Sequence, residues 1–105
     1  MDLTQDEWRS KLTNDDEGLI LDVRTPDEWE EGIIPGAILI DIYQGQEFLE
    51  KLKVLDKKKN YYVYCKAGGR SLQACQVMNQ LGFEHTYNLS GGIMDWSGEI
   101  VSSST

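Results

Sequence analysis

One short segment contains residue types that could support nucleophilic chemistry: residues 65–71, with the sequence CKAGGRS. It lies between a short apolar run, residues 61–64, and a segment with helical periodicity, residues 72–81. A loop that leads from a strand into a helix directs successive backbone N–H groups and the positive end of the helix dipole towards one point. We therefore expect this loop to bind an anion or to stabilise a thiolate.

Cys65 is the candidate nucleophile in this loop. A thiol with the free pKa of about 8.5 is mostly protonated at neutral pH, but a helix N-terminus and nearby cations lower that pKa. Gly68 and Gly69 permit the backbone turns of an anion-binding nest. Lys66 and Arg70 add positive charge on either side of the glycines. The alternative interpretation is a glycine turn beside a buried structural cysteine.

The composition limits the function classes that fit the chain. It has 105 residues, which suits a single domain, and a net charge of -8, which argues against nucleic acids and anionic membranes as partners. It shows neither the basic and apolar regions of a signal peptide nor a run long enough to span a membrane. Two cysteines are too few for a disulfide framework. We expect a cytoplasmic monomer with a reactive thiol.

Capping residues and apolar periodicity predict alternating helices and strands. The predicted helices cover residues 4–12, 26–31, 46–55 and 70–81. The predicted strands cover residues 19–23, 37–40, 61–64 and 86–89, and residues 102–105 are expected to fray. This alternation indicates an α/β fold with a parallel sheet and helices on both faces.

Three motifs occur in order along the chain: Asp22-Val23-Arg24 with Glu28-Trp29 and residues 32–37 (GIIPGA), then the loop at residues 65–71, then Gly91-Gly92 with Trp96. Taken in this order, they resemble the rhodanese (sulfurtransferase) family. Together they extend over about residues 19–96, which makes the resemblance more specific than any single motif. One departure is Ile33, where the family usually has histidine. That histidine is not the nucleophile, so the change concerns local hydrogen bonding.

The resemblance implies a single rhodanese-like domain over residues 1–105, with a core at about residues 4–98. The family's first strand would be absent or reduced to residues 1–3, so the parallel sheet would have four to five strands. Cys65 would take a sulfane sulfur from a donor such as thiosulfate, a persulfide or a polysulfide, and pass it to a thiol, cyanide or protein acceptor. No metal or organic cofactor is implied.

The same resemblance assigns substrate binding to the rest of the loop. The persulfide anion would be held by backbone N–H groups of Lys66, Ala67, Gly68, Gly69 and Arg70. The side chains of Lys66 and Arg70 would attract an anionic donor.

Other chemistries that use a cysteine fit the residues around Cys65 less well than sulfur transfer does. A cysteine protease or acyltransferase needs a histidine beside Cys65, but a straight helix from Arg70 to Leu81 would keep His85 about 18 Å away. The same separation disfavours a metal site formed by Cys65, Cys75 and His85. A cysteine-dependent phosphatase resembles Cys-x5-Arg, whereas this loop is Cys-x4-Arg. A rhodanese-like module that carries sulfur without turnover, or that only binds a protein, remains an alternative.

Several further residues are interpreted as structural. Cys75 lies on the apolar face of its predicted helix, so we expect core packing rather than a resolving thiol. Asp22 and Arg24 are expected to form a structural ion pair. Packing roles are expected for Trp8, Trp29 and Trp96.

Overall fold

A sheet of five parallel strands forms the centre of the protein, whose structure is a computed structural model that describes residues 1–103. The spatial order of the strands is β1-β5-β4-β2-β3. In chain order they are β1 Asp2–Leu3, β2 Leu19–Asp22, β3 Ile38–Leu39, β4 Asn60–Tyr64 and β5 His85–Leu89. The predicted parallel sheet is confirmed, and the short N-terminal strand is present as β1.

Four helices and two 3₁₀ turns connect the strands. The helices are α1 Gln5–Thr13, α2 Pro26–Glu30, α3 Gln46–Lys53 and α4 Gly69–Gln80, and the 3₁₀ turns are Ile42–Gln44 and Ile93–Asp95. All four predicted helices are confirmed, with ends that differ by one or two residues. The predicted strand at residues 37–40 is shorter than expected and covers only β3.

The strand β4 lies in the middle of the sheet, and its side chains alternate between the two faces. Tyr61 and Val63 pack into a core with residues of α3 and α4, namely Phe48, Leu52, Ala74, Cys75 and Met78. Tyr62 and Tyr64 pack on the opposite face around Trp8 of α1, which is fully buried. The sheet is therefore covered by helices on both faces, as predicted.

Local caps fix where the first two helices begin. The Thr4 side chain accepts a hydrogen bond from the Glu7 N–H, and the Glu7 carboxylate accepts one from the Thr4 N–H in return. In α2 the Glu28 carboxylate accepts hydrogen bonds from the N–H and the hydroxyl of Thr25. Both caps are visible in the sequence as Thr-x-x-Glu.

Both ends of the described chain pair with distant segments. The Met1 amino group donates to the Thr86 carbonyl, and β1 runs parallel to β5. Near the other end, Val101 forms an antiparallel bridge with Ile33. The expected fraying of residues 102–105 stays a prediction, since residues 104 and 105 lie outside the described range. Within residues 1–103, no helix combines the length and hydropathy needed to cross a membrane.

Candidate active site

Cys65 immediately follows β4 at the carboxyl edge of the sheet, and α4 begins four residues later at Gly69. Its side chain is buried, with 1% exposed. The backbone N–H of Gly68 donates to Cys65 Sγ over 3.1 Å. The Ser71 hydroxyl lies 3.3 Å from the same sulfur and 3.2 Å from the Gly68 carbonyl oxygen. The loop therefore surrounds the sulfur with hydrogen-bond donors.

These donors determine the ionisation of Cys65. Burial alone would raise the pKa of the thiol, because a buried thiolate loses its hydration. Hydrogen bonds from the Ser71 side chain, and from the backbone of Ser71, Gly68 and Ala67, outweigh that effect and lower the pKa below its ordinary value. The thiolate is thus favoured, in the direction that the sequence predicted.

The two glycines of the loop have different roles. Gly68 has φ +104°, in the left-handed region, and a side chain there would collide with the carbonyl oxygen of Ser90. Gly69 has no positive φ, and open space surrounds the position that its Cβ would occupy. Of the two glycines in the predicted nest, only Gly68 therefore has a backbone conformation that favours glycine.

A second glycine segment supports the loop from outside. Gly92 has φ +66°, and a side chain there would collide with the backbone of Lys66. The next two N–H groups, of Ile93 and Met94, donate to the carbonyls of Cys65 and Lys66 over 2.9 and 3.0 Å. The carboxyl-terminal motif Gly91-Gly92 thus holds the backbone of Cys65 and Lys66 in place.

Arg70 is paired with an acid from another helix. Its two terminal nitrogens contact the two carboxylate oxygens of Glu28 at 2.7 and 2.8 Å. This bidentate hydrogen bonding lowers the pKa of Glu28 to about 2 and raises that of Arg70. The guanidinium also lies 5.6 Å from the centre of the Tyr43 ring. Arg70 therefore brings a positive charge to the loop, but this charge is paired with Glu28.

Three of the predicted binding residues lie on the outside of the loop. Lys66, Ala67 and Gly69 are exposed, and Lys66 forms no ion pair with any residue between 1 and 103. The backbone of Ala67 also lowers the pKa of Cys65. These three residues can meet a substrate at the surface, while Gly68 and Ser71 are buried beneath it.

Three further residues lie at the site without a predicted role there, namely Ser71, Glu28 and Tyr43. Ser71 is the last residue of the seven-residue segment, and its hydroxyl contacts Sγ. A hydroxyl residue at the start of the helix that follows Cys65 could have predicted this contact. Glu28 was visible only as a capping residue of α2. Nothing local connects it to Arg70, since the two positions are 42 residues apart in the chain.

Asp22 and Arg24 form the predicted structural ion pair. The Arg24 guanidinium donates to the Asp22 carboxylate over 2.8 Å and to the Gly32 carbonyl over 2.8 Å. The Trp29 indole N–H donates to the same carboxylate. Both charged side chains are buried, so the pair fixes the turn between β2 and α2. Ile33, which replaces the family's usual histidine, is buried in this region.

Cys75 and His85, the alternative nucleophile and the candidate base, lie away from the Cys65 loop. Cys75 is buried in the core between α4 and the sheet, and burial raises the pKa of its thiol to about 11. His85 is exposed at the start of β5, where it pairs with Asn60 at the amino edge of the sheet. Cys65 and His85 therefore lie at opposite ends of the strands. Across residues 1–103, no group of histidine, cysteine and acidic side chains is arranged to hold a metal ion.

The protein is an α/β protein with a parallel sheet. A cysteine with a lowered pKa lies in the loop between its central strand and the following helix. The family model described as rhodanese-like domain matches residues 4–99. The chain belongs to the rhodanese-like domain family.

Individual relatives agree with this assignment. A putative sulfurtransferase, YtwF, from Bacillus subtilis is 38% identical over 91 residues, which cover 87% of this chain and 84% of the relative. A sulfurtransferase from Allochromatium vinosum is 32% identical over 87 residues, covering 83% and 78%. The crystal structure of a rhodanese-like domain protein from Staphylococcus aureus matches with a TM-score of 0.84 at 31% identity, covering 98% of both chains.

Proposed function

We propose that the protein is a sulfurtransferase that moves a sulfane sulfur through a persulfide on Cys65. The observation that carries this proposal is the buried Cys65 sulfur with hydrogen-bond donors from Gly68 and Ser71 at the start of α4. A thiolate attacks sulfur, and its reactivity depends on the fraction that is ionised. The lowered pKa of Cys65 makes the ionised fraction larger than in a free thiol at the same pH.

The first step loads the enzyme. The Cys65 thiolate attacks the outer sulfur of the donor, a bond forms between Sγ and that sulfur, and the donor's own sulfur–sulfur bond breaks. The leaving group is sulfite when the donor is thiosulfate, and a thiolate when it is a persulfide. The new persulfide anion accepts hydrogen bonds from backbone N–H groups of residues 66–70, at the positive end of α4.

The second step returns the enzyme to its free form. A thiol, cyanide or a protein acceptor attacks the terminal sulfur, and Cys65 leaves as the thiolate that the loop stabilises. A lowered pKa makes the Cys65 thiolate a better leaving group in this step. In the first step it increases the fraction of Cys65 that is ionised and can attack. The exposed Lys66 at the outside of the loop would attract the anionic donor.

A phosphatase activity fits the site less well. The loop is one residue shorter than Cys-x5-Arg, so it offers less room for a tetrahedral phosphoryl group. In addition, the Glu28 carboxylate already occupies both terminal nitrogens of Arg70 and would repel a phosphate. We expect no hydrolysis of an aryl phosphate by the purified protein.

The proposal is tested by intact mass spectrometry after incubation with thiosulfate or a small persulfide. The wild-type protein should gain the mass of one sulfur atom and lose it again on addition of cyanide. Cys65→Ser should gain none, whereas Cys75→Ser should behave like the wild type, because Cys75 lies in the core away from the loop.

Two outcomes would contradict the assignment. If the folded Cys65→Ser and Cys75→Ser proteins both lose the gain of sulfur to the same extent, Cys65 is not specifically the residue that accepts it. Loading from a persulfidated protein without any turnover on small donors would instead show a sulfur carrier that needs a partner.

A further inference from the structure

Arg70, which lies in the same loop as Cys65, is paired with an acid. Both terminal nitrogens of Arg70 contact both carboxylate oxygens of Glu28, and the two side chains are only 20% and 21% exposed. A bidentate pair of this kind fixes the guanidinium in one orientation. An anion close to Arg70 therefore experiences the charges of Arg70 and Glu28 together.

Arg70 lies within electrostatic range of the reacting sulfur. Its pKa is raised first by the hydrogen bond to Glu28 and, to a smaller extent, by the negative charge of Cys65. The guanidinium would act on an anion beside Cys65 if it were unpaired. The carboxylate of Glu28 cancels most of that attraction, because it carries the opposite charge within 3 Å of the same nitrogens.

The cancellation affects donors according to their charge. Thiosulfate has two negative charges at neutral pH, whereas the persulfide of an uncharged thiol has at most one. The attraction lost through Glu28 is therefore about twice as large for thiosulfate as for such a persulfide, since Coulomb energy scales with charge. We propose that Glu28 is a specificity-determining residue that directs the Cys65 site towards small persulfides and away from thiosulfate. This inference rests on the proposed function.

The favoured loading step is balanced without any further reactant. The Cys65 thiolate attacks the outer sulfur of a persulfide RSSH, the Sγ–S bond forms and the donor S–S bond breaks. The electron pair leaves with the inner sulfur, and the resulting thiolate RS⁻ accepts the proton that the outer sulfur releases. The products are the Cys65 persulfide anion and the thiol RSH, so sulfur is transferred with no external oxidant or reductant.

The Glu28→Gln variant tests this role with little change of shape. Glutamine keeps an oxygen that can accept the hydrogen bonds from Thr25, so the cap of α2 is preserved. The matched control is Asp27→Asn, which removes one negative charge from an exposed position in the same turn of α2. The readout is the rate of sulfur gain on Cys65, followed by intact mass with thiosulfate and, separately, with 2-hydroxyethyl persulfide.

We expect Glu28→Gln to load from thiosulfate about tenfold faster than the wild type at low ionic strength, and from the persulfide within about threefold of it. This rate increase with thiosulfate should become smaller as salt is added, because screening weakens the attraction between Arg70 and the donor. Asp27→Asn should leave the ratio of the two rates unchanged. In the double variant Glu28→Gln, Arg70→Gln the gain should disappear, since it depends on the released guanidinium.

Several results would overturn the inference. Equal effects of Glu28→Gln on both donors, or the same gain in Asp27→Asn, would show that Glu28 is only a structural partner of Arg70. If Glu28→Gln does not fold, Glu28→Asp provides the test, because it keeps the charge and must keep the wild-type ratio. A wild-type protein that gains sulfur from neither donor would refute the proposed function itself, which is a distinguishable outcome.

Discussion

At the scale of single residues, Ser71 influences how much of Cys65 is ionised. Its hydroxyl is fully buried and lies 3.3 Å from Sγ. Among the interactions that lower the pKa of Cys65 against the effect of burial, the hydrogen bond from this side chain is the largest. A hydrogen bond to a charged group contributes about 1.5–3 kcal/mol, so its loss should be measurable.

We predict that Ser71→Ala raises the pKa of Cys65 and slows its alkylation at neutral pH by about tenfold, which corresponds to about 1.4 kcal/mol. The measurement is the pH dependence of iodoacetamide labelling in a Cys75→Ser background. The curve should move to higher pH, because the variant binds its thiol proton more tightly. Ser71→Thr keeps the hydroxyl and should restore the wild-type curve. An unchanged curve in Ser71→Ala would leave the backbone N–H groups as the cause of activation.

At the scale of elements, the loop depends on a left-handed residue at the start of α4. Gly68 is the N-cap of that helix with φ +104°, and the Ser90 carbonyl that follows β5 lies directly against it. The neighbouring Gly69 is the first helical residue and has open space around it. The pair therefore offers a direct comparison of a constrained glycine with an unconstrained one.

We predict that Gly68→Ala destabilises the protein by about 2–4 kcal/mol, because it combines a strained backbone with a collision against the Ser90 carbonyl. Gly69→Ala should be neutral or stabilising by up to about 1 kcal/mol, since alanine fits a helical position. Urea unfolding of both variants measures the difference. Similar losses at the two positions would show that the loop does not distinguish between its glycines.

Elements from distant parts of the chain also meet at the loop. The turn after β5 donates two backbone hydrogen bonds to residues 65 and 66, and α2 contributes Glu28 to Arg70. The buried pair of Asp22 and Arg24 fixes the turn that leads into α2. The position of Glu28 beside the site therefore depends on a scaffold that has no contact with the sulfur atom itself.

At the scale of the whole molecule, the net charge of -8 opposes the approach of an anionic donor. The helix terminus and Lys66 would attract the donor only near the loop, whereas the net negative charge of the molecule acts over a longer range. Salt shortens that range to a Debye length of about 10 Å at 0.1 M. Added salt therefore weakens the long-range repulsion more than it weakens the contacts inside the loop.

We predict that the second-order rate of Cys65 loading from thiosulfate increases by about two- to threefold between 0.01 and 0.2 M salt, because screening reduces the repulsion between two negative species. The rate with 2-hydroxyethyl persulfide, measured at the same salt concentrations, is the control and should change less. A rate that falls steeply with added salt would show that local cations, rather than the net charge, govern the encounter.

The elements of this fold could be predicted from the sequence because their signals are local. Thr4 and Glu7 lie three residues apart and cap α1, and the apolar residues of α3 recur at helical spacing. The apolar run of β4 and the Gly-Gly turn after Cys65 are equally local. The loop that contains Cys65 and the alternation of strands with helices therefore followed from neighbouring residues, and the order of three motifs indicated the family.

The sequence by itself thus determined that Cys65 lies in a loop between a strand and a helix, where backbone donors favour a lowered pKa. Only the tertiary structure decided which charges surround it. Glu28 reaches Arg70 because α2 and the start of α4 meet across 42 residues of chain. The Gly92 segment reaches the Lys66 backbone in the same way. Such contacts depend on the packing of whole elements, and no local pattern of residues specifies them.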